Sequence, residues 1–185
     1  MTVDLEALAR SVQQLQDRQA IRDCINIYCR AVDRLDRELL LSVYHPDAID
    51  DHGLFLAGRE DFADQAFSFH RERQHSTQHI VTNHVCELDG DVAHAETYWM
   101  FAAMNKAGAP LSISGGRYID RFEKRDGRWA IAARLCMADW HGAPGESAVP
   151  PELRAILNDG GTPARDRSDP SYMRPLEVRT PVAAE

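Results

Sequence analysis

The sequence predicts an α+β fold, a curved antiparallel sheet covered by N-terminal helices around one pocket. Three observations carry that prediction. Apolar residues recur at helical spacing through the first seventy or so residues, and the period then falls to about two. Two Asp-Gly pairs, Asp89-Gly90 and Asp126-Gly127, sit between alternating runs and mark hairpin turns. Helices first and hairpins afterwards pack as a helical layer on a sheet, and the hollow between such layers is a preferred place for a small ligand.

Taken in order, Leu5, Leu8, Val12 and Leu15 predict a first helix. Ile21, Ile25, Tyr28 and Val32 predict a second, with Asp17 as the N-cap between them. A short third helix is expected from Arg37 to Tyr44, ended by His45-Pro46, because the residue before a proline is pushed out of helical geometry. Residues 47–58 read as a short hairpin with Gly53 and Gly58 as turn residues. Residues 59–73 carry Phe62, Ala66 and Phe69 at helical spacing, a fourth helix. Residues 77–105 and 112–141 each read as a strand pair, which makes a four-stranded antiparallel meander. Gly115-Gly116 lies inside a strand and reads as a bulge or a sharp bend.

The composition shifts beyond this point. The domain is assigned to residues 1–141, and residues 142–185 form a Pro/Gly-rich arm with a short helix possible at residues 150–157. Tyr172, Met173 and Leu176 are candidates to dock on a neighbouring subunit or over the pocket mouth; a loosely packed tail is the alternative.

Charge and composition narrow the function classes. A net charge of -8 argues against nucleic acid, whose binding rests on basic contacts to phosphate. No apolar run reaches the length of a membrane span, and the N-terminus lacks a signal peptide's apolar segment, so a cytoplasmic location is expected. The four cysteines, Cys24, Cys29, Cys86 and Cys136, form no C-x-x-C pair and read as buried free thiols. The eight histidines show no metal-ligand spacing, and no dinucleotide fingerprint or P-loop occurs. A pocket without metal or cofactor is therefore expected.

Four residues carry the chemical interest. Asp33 ends the second helix, where the macrodipole and apolar neighbours disfavour its charge; it is either a general base or a helix end paired with Arg30, Arg34 or Arg37. His79 lies near a strand start with Val81 and Val85 on its face, and His84 falls on the other face unless a bulge intervenes. Beside a carboxylate it would be oriented and made more basic; otherwise it is structural. Arg134 sits among small residues and, if buried, needs a leaving group, an oxyanion or an internal carboxylate as its partner. Tyr28 shares the apolar stripe of the second helix and is either core or a phenol facing the pocket. Asp36 reads as a solvated surface carboxylate.

The segments "AIRDCINIYCRAVDRLD", "VYHPDAIDDHGLFLAGREDF", "TQHIVTN" and "GGRYIDRFEKRDGRWAIAARLCMADW" resemble, in kind and order, the SnoaL-like members of the nuclear-transport-factor-2-like superfamily, over roughly Asp17 to His141. The resemblance implies a cone-shaped α+β barrel with one deep apolar pocket, assembled as a homodimer or homotrimer. It also implies an Asp–His dyad, which falls on Asp33 and His79, with Arg134 matching a pocket arginine and Tyr28 a dehydratase tyrosine. A second histidine, present in scytalone dehydratase, has only His84 and His94 as candidates. The expected activity is a cofactor-independent lyase acting on an apolar cyclic or aromatic molecule, by loss of water or by formaldehyde-releasing C–C cleavage. An isomerase or polyketide cyclase, and a non-catalytic binding module, are the alternatives.

Overall fold

The computed structural model describes residues 4–144, 164–173 and 175. Its first element is one long helix, α1 (Leu5–Arg34), where two were expected. The link between the two apolar stripes, residues 16–20, contains no Gly or Pro to stop a helix. Asp17 caps nothing. Its carboxylate accepts from Trp129 Nε1 (2.8 Å) and Lys124 Nζ (2.9 Å) on the sheet. The N-cap is Asp4, whose side chain accepts from the Glu6 and Ala7 amides. Only the second half of α1 packs inward, through Ile21, Ile25, Tyr28 and Val32; Leu5, Leu8, Val12 and Leu15 remain exposed.

The helix ends on Leu35, which takes a left-handed conformation (φ 52°) and turns the chain sharply. Asp36 then caps α2 (Arg37–Ser42), accepting from the Leu39 amide at 3.1 Å, and also accepts from the Tyr172 hydroxyl at 2.7 Å. It is a structural cap and not a solvated carboxylate. Helix α2 stops earlier than expected, because Tyr44 already belongs to β1 (Tyr44–Asp51). Pro46 is accommodated in that strand where its pairing register shifts, between Tyr44 and Ile49. The hairpin to β2 (Leu56–Gly58) forms as expected, with Gly53 at φ +70°, while Gly58 serves as the N-cap of α3 (Arg59–Arg73).

Strands β3 (Gln74–Asp89), β4 (Val92–Asn105), β5 (Leu111–Arg125) and β6 (Arg128–Gly142) form the expected antiparallel meander. The sheet is nevertheless mixed. Strand β1 runs parallel to β6, giving the order β2-β1-β6-β5-β4-β3. Strands β2 and β3 form the two edges, so the curved sheet is an unclosed cone. Side-chain periodicity carries no information on which edge an early strand will join.

Irregular pairings set the curvature. In β3, Thr82 and Asn83 both face outward, and the register shifts between Val81 and His84. His84 is thereby turned to the inner face with His79, and Val85 is left outside, 61% exposed. Gly115 and Gly116 of β5 face another shift, where β6 carries the extra residue. A Cβ on Gly116 would lie 1.9 Å from the Met137 carbonyl oxygen, and one on Gly115 would lie 2.3 Å from the Trp140 ring, so only glycine permits this approach.

Of the C-terminal arm, Tyr172 docks on its own chain: Arg30 and Arg167 stack over its ring while its hydroxyl reaches Asp36. The helix expected at 150–157, and Leu176, lie outside the described residues. Among the described residues no helix is long and apolar enough to cross a membrane.

Candidate active site

Between α1, α3 and the concave face of the sheet lies a cavity with about 670 Å³ of empty space, mouth included. Aromatic side chains, among them Phe62, Phe69, Trp99 and Phe101, form most of its wall. Five polar rings interrupt them: Tyr28, Tyr118, His52, His70 and His79.

Asp33 and His79 meet at this wall. The left-handed turn at Leu35 follows directly on the last turn of α1, and it leaves Asp33 aimed at the edge strand β3. Thr77 and His79, two apart on that strand, share its inner face. Three donors converge on the carboxylate: Thr77 Oγ1 (2.9 Å) and His79 Nδ1 (2.7 Å) on Oδ1, and the His79 amide (2.9 Å) on Oδ2. A proton held on Nδ1 leaves Nε2 with its lone pair, which is the form of imidazole able to accept a proton. The His79 ring lies 4.7 Å from Phe101 and 5.8 Å from His70 between centroids. Burial pushes His70 down to about 4, so it is neutral here, with Nδ1 bonded to the Gln74 side chain (2.6 Å).

Arg134 finds an internal carboxylate. Both partners are fully buried, and the guanidinium donates twice to Asp120, Nε to Oδ1 (2.7 Å) and Nη2 to Oδ2 (2.8 Å). Its charge lies 4.2 Å from the Tyr28 ring centroid and 4.1 Å from that of Tyr118. Arg134 thus stands behind the two tyrosines that face the cavity and does not itself line it. Burial opposes its charge, but Asp120 more than offsets this and keeps it protonated.

Tyr28 does reach the cavity. Burial, reinforced by the Asp50 carboxylate, holds its phenol well above the ordinary range, so it remains a proton donor. Its oxygen lies 3.2 Å from His52 Nε2. His52 and its partner Asp50 are the residues that the sequence reading missed. The available signal was "DDH": Asp50 and His52 are two apart on an extended segment and so share a face. His52 Nδ1 donates to Asp50, which is fully buried and also accepts the Tyr44 hydroxyl.

The two proposed second histidines sit elsewhere. His94 is exposed on the outer face, whereas His84 faces inward and bonds Thr97 (2.8 Å) away from the cavity wall. Cys24 and Cys29 are buried thiols, pushed by that burial up to about 11 and about 12. Cys136 lines the cavity. Among the described residues, no group of three or more His, Cys, Asp or Glu side chains is arranged to hold a metal ion.

Solved structures share this architecture. A hexachlorocyclohexane dehydrochlorinase, LinA type 2, is 23% identical with a TM-score of 0.70, covering 76% of this chain and 98% of its own. A putative scytalone dehydratase from Novosphingobium aromaticivorans is 19% identical with a TM-score of 0.66, covering 76% and 96%. A protein of unknown function from Mycobacterium tuberculosis is 25% identical with a TM-score of 0.62, covering 70% and 75%. No curated protein matches the chain. The SnoaL-like domain profile matches residues 13–135, two thirds of the chain, from the first half of α1 into β6, and the chain belongs to that family.

Proposed function

We propose that the protein is a lyase in which His79, oriented by Asp33, removes a proton from an apolar cyclic or aromatic small molecule. The observation that carries this reading is the three-donor clamp on Asp33, which orients the His79 imidazole at the wall of a cavity rich in aromatic rings. A base of that kind needs only reach and orientation, and both are supplied by backbone elements. Tyr28 donates to the oxygen that gains electron density, and Arg134 acts from behind it by fixing the ring and its potential. The dehydrochlorinase and the putative dehydratase of the same fold are named for elimination reactions, which supports the same chemical class here. Proton transfer within a ketone, as in an isomerase, would use the same base and the same phenol.

The exposed stripe of Leu5, Leu8, Val12 and Leu15, together with Met100, Leu135, Met137 and Trp140 on the outer sheet face, supports assembly into a homo-oligomer. The functional test is a panel of hydroxylated aromatic and polycyclic compounds followed by mass. Loss of water, or of formaldehyde, that disappears in His79→Gln supports the reading. Turnover that survives His79→Gln sinks it.

A further inference from the structure

The concave face carries a second histidine–carboxylate pair, and its charge balance gives it a role different from that of Asp33–His79. Three adjacent strands place Asp50, Arg134 and Asp120 directly beside one another, Asp50 opposite Arg134 and Arg134 opposite Asp120. All three are buried. Arg134 gives two hydrogen bonds to Asp120 and so neutralises it. Asp50 is left to Tyr44 and His52, and a buried carboxylate requires a counter-charge. Tyr44 supplies a hydrogen bond without charge, so the counter-ion is His52.

We infer that His52, held as an imidazolium by Asp50, is the proton source of the site and recharges Tyr28, which protonates a departing hydroxyl of the substrate. Tyr28 is placed for this, since its oxygen meets His52 Nε2 while its ring lines the same cavity. This role rests on His79 acting as the base. His79 Nε2 takes a proton from carbon, and that C–H electron pair becomes the new C=C bond. The C–O bond breaks with its electrons on oxygen. That oxygen takes the Tyr28 hydroxyl proton, Tyr28 takes the His52 Nε2 proton, and water leaves. The cycle closes when the proton on His79 returns to His52 through solvent. The substrate class is thereby narrowed to an apolar-bodied alcohol with its hydroxyl at Tyr28 and its acidic C–H at His79.

The surroundings of His52 favour the charge from most sides. Strand β1 contributes Asp50 and Tyr44, α1 contributes Tyr28, β5 contributes Tyr118, β6 contributes Cys136 with Arg134 behind it, and α3 contributes the Phe62 ring at 4.8 Å. Burial opposes protonation, yet the Asp50 carboxylate, helped by Cys136, outweighs it and pushes His52 up to about 9.

Two measurements on the full chain test the role without a known substrate. The first is an NMR titration of the histidine rings, in which His52 is expected to stay protonated through neutrality and to lose that behaviour in Asp50→Asn. The second uses 4-nitrophenol, whose phenolate is coloured and whose neutral form is not. Wild type and His79→Gln are expected to bind it as phenolate near neutrality, whereas His52→Gln and Asp50→Asn bind it neutral or not at all. A His52 ring that titrates below neutrality overturns the proposal. So does phenolate binding that His52→Gln leaves unchanged, or saturating probe that wild type does not bind. Because His79→Gln should abolish turnover yet keep the phenolate signal, failure of the base and failure of the acid are read separately.

Discussion

Asp33→Asn removes one charge and almost no volume, yet the hydrogen-bond geometry predicts a large loss. The wild-type carboxylate receives three donors. An amide offers one acceptor oxygen and an NH₂ with two donor hydrogens. The His79 main-chain N–H on Oδ2 is an obligatory donor, so the amide oxygen must stay there and the NH₂ must turn toward Thr77 Oγ1 and His79 Nδ1. Nδ1 can then satisfy it only as an acceptor, which moves the ring proton to Nε2 and leaves the cavity-facing nitrogen without a lone pair. A wrong-tautomer histidine of this kind costs about 10⁴-fold in turnover where it has been measured in serine proteases. That corresponds to roughly 5 kcal/mol of barrier. Folding should suffer less, by about 1.5–3 kcal/mol for the lost charge-assisted bonds. The assay pairs turnover on a compound from the mass screen with urea unfolding and the ¹⁵N shifts of His79. If Asp33→Asn retains turnover within tenfold, or keeps the Nδ1–H tautomer, the assignment of Asp33 as the orienting partner is wrong.

Other perturbations give distinct signatures. Asp120→Asn strands the Arg134 cation in a fully buried site and should cost about 3–5 kcal/mol in chemical denaturation; a change below 1 kcal/mol would mean that the pair is solvated. Gly116→Ala places a Cβ against the Met137 carbonyl and the Trp99 ring, and thermal melting should show destabilisation at the upper end of the ~1–3 kcal/mol typical of overpacking. Stability should fall on both sides of neutrality. His52 is raised from 6.5 to about 9, so its contribution is full below pH 6.5 and is lost as pH climbs through about 9. His70 is lowered from 6.5 to about 4, so its contribution is present above pH 6.5 and is lost as pH drops through about 4. Urea midpoints across pH should show the alkaline limb flattened in His52→Gln and the acid limb flattened in His70→Gln.

The helices and the meander were legible because apolar period and Asp-Gly turns are local signals. The pairing of Asp33 with His79 follows from the family resemblance alone, because the residues by themselves leave each open to a structural role, and the structure brings the two side chains together. What escaped notice depends on counting across irregular backbone. From the pair Arg125–Arg128 beside the hairpin turn, regular pairing would set Asp120 opposite Ala133; the shift between Arg121 and Phe122 moves it to Arg134. Regular alternation likewise sends His84 outward, and the extra residue in β3 brings it in. The local pattern does not single out His52 and Asp50, because residues 47–58 read as a short hairpin. Only the parallel seam of β1 with β6 carries Asp50 beneath the cavity, and that contact joins residues 84 positions apart in the chain.

The outward pair Thr82–Asn83 has a consequence for how such a cavity diversifies. Deleting one of them would restore simple alternation while leaving His79, Val81, His84 and Trp99 on their present sides and opposite their present partners. The strand would straighten, because the extra residue is what bends it. The bend of this strand is therefore governed by chain length at a place that contributes no side chain to the cavity wall. A lineage can retune which molecules fit by losing or gaining a single codon there, with every reactive group kept intact.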